Sequence, residues 1–566
     1  MIEQIKGKIK VLLEEYYLKE YNLELSIAVE EPKKQGLGDI SVPVFAAVKA
    51  LKKPLPECVN EVVEIIKNNI KEVEMINPTG GFVNILLNKQ LLSEQIIKEV
   101  VSQGSNYGNR HFGEGKTCVL DYSSPNIAKS FSIGHLRSTM IGNSLKLIHE
   151  KCGYKTVGIN YLGDWGTQFG KMIVAYELWG DKDIIDKDPI NELTKLYVRF
   201  TNESKLDPSL DDKARYAFRQ VELGDEKYLS LWKWIREESL KESKQIYDLL
   251  NISFDSYRGE AYYNDKMDAV VAELEAKHLL KEDNGAMIVD LGEDKVPALI
   301  KRADGGSLYI TRDLAAIFDR MKDYNFDLAL YVVGNEQRLH FEQLKSVLTL
   351  MGYDYGNRIS HVNFGLVLQN GKKMSTRTGN VVKLYDVLEQ AIKIAYEAIE
   401  SKNPTLENKE DIARKVGVGA VVFNDLKNHR TLDVEFDLNQ MVKFEGQTGP
   451  YLQYSSVRIA SIINGQTFDV NNMNKEIMLK DHYFELVKSI SQFGAVVERA
   501  CVERLTSIIA KYLLSLAQLF NKFYAIERIN VEDEQIRNTN FALASCVRTI
   551  LNEGMRLLGI EYLDRM

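Results

Sequence analysis

The chain has 566 residues, too many for one hydrophobic core, and at roughly 150 residues per domain the length calls for three or four domains. Apolar content of 45% and charged content of 27% are those of an ordinary globular protein, and a net charge of -8 excludes a globally basic nucleic-acid binder, so any such partner must meet local basic patches. Five cysteines, Cys58, Cys118, Cys152, Cys501 and Cys546, form no C-x-x-C pair, which argues against a structural zinc site or a disulfide framework.

Residues 1–110 read as a small α/β unit. Residues 2–17 have helical spacing with no signal-peptide core, and "LSIAV" and "GFVNILL" read as strands. Between them, residues 43–52 and 58–70 carry helical periodicity, and "SQGSNYGNR" reads as a linker. No run of about 18 apolar residues occurs, so no membrane span is expected and the chain reads as cytoplasmic.

From Lys116 the pattern changes. "TCVLDY" reads as a strand, 135–150 as a helix closed by Gly153, and "KTVGINY" as the next strand. That βαβ unit belongs to a parallel sheet, whose ligands sit at the carboxyl ends of the strands. Residues 181–300 interrupt the pattern with a charged amphipathic helix, 228–250, and short strands at "AMIVDLG" and "VPALIKR". It resumes over 301–410 with helix 312–322, strand "LALYVVG", helix 337–351 and strand "HVNFGLVL". From about residue 411 to 566 the chain reads as a helical bundle, with 506–524 apolar along one face.

Two stretches could carry chemistry. "DYSSPNIAKSFSIGHLRST" places Gly134 and His135 at a helix start just after the first strand of the sheet. A phosphate chain needs close backbone approach, N–H donors and positive charge. Gly134, the helix N-terminus, Lys129, Ser132 and His135 can supply these, and Asp121, Ser124 and Asn126 lie at the strand end. By itself the Gly-His pair is equally a capped turn. The second stretch, "GKKMSTRTG", puts two lysines, Ser375, Thr376 and Arg377 between Gly371 and Gly379, a loop that could offset charge on a leaving pyrophosphate or could be a solvated basic loop.

An early Gly-His motif, an insertion, a late basic Ser/Thr loop and a helical domain, in this order, resemble the class I aminoacyl-tRNA synthetases. "NYLGDWGTQFG", "LYITRDLAA", "YVVGNEQRLHF", "EGQTGPYLQYSSVRI" and the closing "LLGIEYLDRM" narrow the resemblance to the arginyl-tRNA synthetases. It implies a multidomain α/β plus all-α fold: a Rossmann-like catalytic domain in two halves, 111–180 and 301–410, split by the 181–300 insertion, an N-terminal tRNA-contacting unit and a helical anticodon-binding bundle. It also implies arginine activation by ATP, with Mg²⁺ carried on the phosphates, and transfer to the 3′ end of arginine tRNA. No zinc ligands are visible in the sequence, and a monomer is the expectation.

Carried over position by position, the resemblance puts arginine on Asp121, Ser124, Pro125, Asn126, His135, Tyr309, Asp313 and Gln337. Asp313, helped by Tyr309, suits the guanidinium, whose five N–H donors want carboxylate and planar acceptors. ATP would lie on Ser132, Ile133, Gly134 and His135, with adenine near Gly365 and Val367 and phosphates under Lys373, Met374, Ser375 and Arg377. Unpaired tRNA bases would meet Gln447, Tyr451, Tyr454 and Arg458, and tRNA phosphates would meet Lys33 and Lys34. Two positions depart from the family pattern. Ser132 replaces the first histidine of the first motif, and loss of such a donor can cost roughly 10²–10³-fold in rate. Thr376 replaces the second lysine of the second motif, and Lys129 is expected to compensate. A non-catalytic tRNA-binding relative is the alternative, which His135, Lys373 and Ser375 disfavour.

Overall fold

The structure is a computed structural model that describes residues 2–32, 34, 36–127, 131–302, 309–373 and 382–566. The N-terminal unit packs the helices Ile2–Tyr21 and Leu55–Asn69 on a three-stranded antiparallel sheet ordered Ile40–Pro43, Phe82–Leu87, Val73–Thr79. The expected strand "LSIAV" does not form. Ile27 is buried, but its N–H donates to the Glu14 carboxylate at 3.0 Å instead of entering a ladder, and only an isolated bridge, Glu30 to Ser41, follows. The alternating pattern thus marks a half-buried extended segment that lacks a neighbouring strand.

The parallel sheet has the strand order Ile359–His361, Leu328–Tyr331, Thr117–Asp121, Lys155–Ile159. The chain's first strand of this sheet is therefore central, flanked by the second on one side and the third on the other. Such a reversal opens a crevice at the carboxyl ends, where Asp121 and Tyr331 are register partners. Cys118, Val119 and Leu120 are fully buried, as expected of a strand covered on both faces. "HVNFGLVL", read as one strand, is two. The first part ends at His361, and Val367–Gln369 pairs in parallel with Val434–Glu435 in a different sheet.

The insertion contains the helices Pro189–Leu206, Ser209–Leu223 and Glu226–Leu249, which share a core with the preceding helix Thr167–Trp179 that includes Phe169, Met172, Phe200, Phe218 and Ile235. A three-stranded antiparallel sheet, Leu280–Asp283, Ala286–Val289 and Ala298–Lys301, completes it. From Lys409–Leu426 to Glu534–Leu557 the chain is almost entirely helical, and the preceding helix Leu384–Lys402 packs on Lys409–Leu426. Its core takes Leu513, Leu516, Leu543, Val547 and Leu551 out of water, at roughly 1.5–3 kcal/mol for each such side chain. The N-terminal unit is clipped to this bundle by Lys89–Asp481 at 2.7 Å and Lys488–Asp39 at 3.3 Å. Among the described residues no helix is long and apolar enough to cross a membrane.

Candidate active site

The helix Ile133–Lys151 begins at Ser132, which is extended (φ -93°, ψ 162°) and buried. The Ser132 N–H donates to His135 Nδ1 at 3.1 Å, and the Ser132 hydroxyl lies 3.2 Å from the same nitrogen, so the two residues cap the helix jointly. Gly134, one residue into the helix, is exposed. A Cβ there would meet only Ser132 Oγ, at 3.5 Å, which leaves room for a ligand against the backbone N–H groups.

The chain after the second motif returns to this helix start. The Ile133 N–H donates to Val382 O at 3.1 Å, the Leu384 N–H donates to Phe131 O at 2.9 Å, and Ser132 bridges Lys383. On the incoming side, Leu368 and Lys373 are antiparallel partners. The outgoing flank of the basic loop, Val382 to Leu384, is thus held at the start of the glycine-histidine helix. Met374, Ser375 and Arg377 of that loop, together with Lys129 and Lys33, lie outside the described residues.

At and beyond the carboxyl end of the central strand stand several carboxylates. Asp121 is buried and pairs with Arg320 at 2.7 Å, and its other oxygen accepts from Ser124 Oγ at 3.0 Å. Burial pushes the Asp121 carboxyl up, and the charge of Arg320 opposes that. Arg320, itself buried, donates to Tyr331 Oη at 3.0 Å and stacks on the rings of Tyr161 and Tyr331 at 5.2 and 5.4 Å. Asp121 is therefore a buried carboxylate whose charge Arg320 already matches. Asp313 is half-buried one turn into the helix Tyr309–Tyr324 and accepts from His340 Nε2 at 2.6 Å. Tyr309 and Gln337 are exposed. Asn126 is exposed and bridges Gly163, while Pro125 is buried with its carbonyl accepting the Gly163 N–H at 3.1 Å. Gly365 and Val367 are half-buried.

Two residues of this region escaped the sequence reading. Glu260 lies 3.3 Å from Arg312, and burial pushes its carboxyl up to about 7, with Arg312 opposing and Asp313 and Asp164 reinforcing the shift. Its segment, "RGEAYY", has no periodicity that would set it apart. Arg137, two residues after His135, is fully buried and donates to Asp425 Oδ1 at 2.7 Å. A buried arginine in "GHLRST" needs an acid from elsewhere in the chain, and the sequence does not say which.

In the bundle, Tyr451 accepts from Asn521 Nδ2 at 2.8 Å, and Arg458 stacks on Tyr524 at 4.5 Å. Tyr454 and Gln447 are exposed, as is Lys34 in the N-terminal unit. Among the described residues no group of three or more His, Cys, Asp or Glu side chains is arranged to hold a metal ion.

The family description "tRNA synthetases class I (R), catalytic domain" matches residues 96–438, "DALR anticodon binding domain" matches 452–566, and "Arginyl tRNA synthetase N terminal domain" matches 3–87. The chain is 49% identical to the arginine–tRNA ligase of Ligilactobacillus salivarius over 95% of each chain, and 48% identical to that of Exiguobacterium sibiricum over 96% of each. Its fold resembles the arginyl-tRNA synthetase of Thermus thermophilus, with a TM-score of 0.82 at 23% identity over 99% of this chain and 100% of that one. On the catalytic-domain match and these near-full-length identities, the chain belongs to the arginyl-tRNA synthetase family of class I aminoacyl-tRNA synthetases.

Proposed function

We propose that this chain joins arginine to its tRNA, at the expense of ATP, in the crevice between the helix start at Ser132 and the acidic pocket around Asp313 and Glu260. One observation carries the assignment: Val382, on the far flank of the basic loop, is hydrogen-bonded to Ile133 at the glycine-histidine helix start. Chain that leaves the second motif is thereby tied to the first, which supports a joint role for the two motifs.

ATP lies along Ser132, Ile133, Gly134 and His135, with adenine against Gly365 and Val367, and Lys373, Met374, Ser375 and Arg377 close on the phosphates. Mg²⁺ enters on those phosphates as part of the substrate. The guanidinium of arginine faces Asp313, with Glu260 as a second carboxylate and Tyr309 beside it. Ser124, Asn126 and Gln337 line the α-amino and carboxylate end over the floor made by Asp121 and Pro125. The arginine carboxylate attacks the α-phosphorus in line, the bond to pyrophosphate breaks, and arginyl-adenylate remains. The terminal tRNA hydroxyl then attacks the adenylate carbonyl and releases AMP. Positioning and preorganised donors at the helix start supply the catalysis, with no covalent enzyme intermediate. Lys129 replaces the charge absent at Thr376. We assign the domains as 1–110, 111–180, 181–300, 301–410 and 411–566, with Gln447, Tyr451, Tyr454 and Arg458 toward the anticodon, Lys33 and Lys34 toward the tRNA backbone, and a monomer as the working unit.

The test is ATP–pyrophosphate exchange with each amino acid in turn, with and without tRNA. Exchange with arginine and no other amino acid is expected. Absence of exchange under both conditions, with tRNA still bound, would replace this reading by that of a non-catalytic tRNA-binding relative.

A further inference from the structure

The residues given to adenine are held on one side by the segment 430–434, which follows the helix Lys409–Leu426. After His361 the chain runs on beside the parallel sheet only as far as Phe364, which bridges Gly334. The Gly365 N–H then donates to Arg430 O at 3.0 Å, and the Leu366 N–H donates to the Asp433 carboxylate at 2.7 Å. Val367 pairs in parallel with Val434, and the Val434 N–H donates to Leu366 O at 2.9 Å. The fit is close: a Cβ on Gly365 would meet Leu432 O at 2.6 Å and Asp433 Oδ1 at 2.7 Å.

The same segment grips the first-motif helix. Arg137 donates from Nη1 to Leu432 O at 2.8 Å and from Nη2 to Arg430 O at 3.2 Å, while its Nε holds Asp425 at the end of the helix Lys409–Leu426. The segment is itself fixed to the bundle, through Arg430 Nε to Arg504 O at 3.2 Å. Three parts that share no strand pairing therefore meet on residues 430–434: the helix start under the phosphates, the strand beside the adenine, and the bundle.

We propose that residues 430–434 are a clamp that sets the spacing between the two halves of the nucleotide site, with Asp433 and Arg137 as its positioning residues. Arg137 fixes the clamp to the phosphate side and Asp433 fixes it to the adenine side. Neither side chain touches the reacting atoms. The inference rests on the ATP site proposed above and adds the element that holds its two walls in register.

Asp433 is the residue to test, because it is exposed and its described role is one hydrogen bond to a backbone N–H, so Asp433→Ala should fold. Loss of that bond should raise KM for ATP about three- to tenfold, as expected for a single positioning hydrogen bond. The dissociation constant for arginine, measured by calorimetry, should stay within about twofold, because the acidic pocket hangs on other elements. Hydrogen exchange of the Gly365 and Leu366 amides should speed up in the variant, while the helix Ile133–Lys151 keeps its protection. Asp433→Asn keeps an oxygen acceptor and should restore most of the ATP affinity. The proposal is overturned if Asp433→Ala leaves KM for ATP unchanged in an active protein, or if arginine and ATP binding weaken together. A wild-type chain with no arginine-dependent exchange would instead overturn the reading of the site itself.

Discussion

Glu260→Gln is the most informative single change. Burial raises the Glu260 carboxyl from an ordinary 4.5 to about 7, and its side chain is 16% exposed. Each pKa unit is about 1.4 kcal/mol, so the empty pocket carries on the order of 3 kcal/mol of unfavourable charge burial once Glu260 ionises. The sign follows from proton counting. Between pH 4.5 and 7 the unfolded chain loses this proton while the folded one keeps it, so folding stability falls as pH rises and levels off above about 7. A guanidinium arriving beside Glu260 adds a second cation to Arg312 and favours the ionised form. Arginine affinity should therefore rise about tenfold between pH 6 and pH 8, with proton release at the lower pH. Glu260→Gln should flatten that dependence, weaken arginine binding by about 10- to 100-fold, and raise the melting temperature at pH 8. Calorimetry in two buffers of different ionisation enthalpy reads affinity and proton release together. If the slope with pH persisted in Glu260→Gln, Glu260 would be only the structural partner of Arg312 and the argument for a second guanidinium carboxylate would fail.

Other outcomes follow from the same geometry. Arg320→Met leaves Asp121 buried without its charged partner and should cost about 3–5 kcal/mol, whereas Arg320→Met with Asp121→Asn should recover much of that in denaturant unfolding; equal losses in both would contradict the pairing. Ser132→Ala removes the hydroxyl beside His135, so arginine-dependent exchange should fall while the melting temperature drops by only the few degrees of a lost helix cap, about 1 kcal/mol. Lys129→Ala should lower the rate of exchange well below wild type, and an unchanged rate would show that Lys129 does not replace the lysine missing at Thr376. All five cysteines are buried, and burial pushes the Cys118 and Cys546 thiols up, so an aromatic disulfide reagent should label none in the native protein and all five after unfolding.

What the sequence shows and what it hides differ by the range of the interaction. The strands at 117–121 and 155–159 and the helix between them are legible because apolar periodicity and a terminal glycine are local signals. "LSIAV" carries the same local signal and misleads, because a strand also needs a neighbour, and Ile27 has the Glu14 carboxylate in place of one. Gly134, His135 and Asp313 could be placed through motifs, which are local as well. Arg320 could not. On the helix Tyr309–Tyr324 it has the look of an ordinary surface cation, and only the fold puts it under Asp121 with Tyr161 and Tyr331 around it. A buried charge is tolerable only with its partner, and the partner lies about two hundred positions away in the chain. Arg137 and Asp425 repeat the case across the junction with the helical region. These long-range pairs join the sheet to the elements around it. The motifs therefore name the chemistry, and the pairs that no motif contains decide whether its parts stand at the right distance.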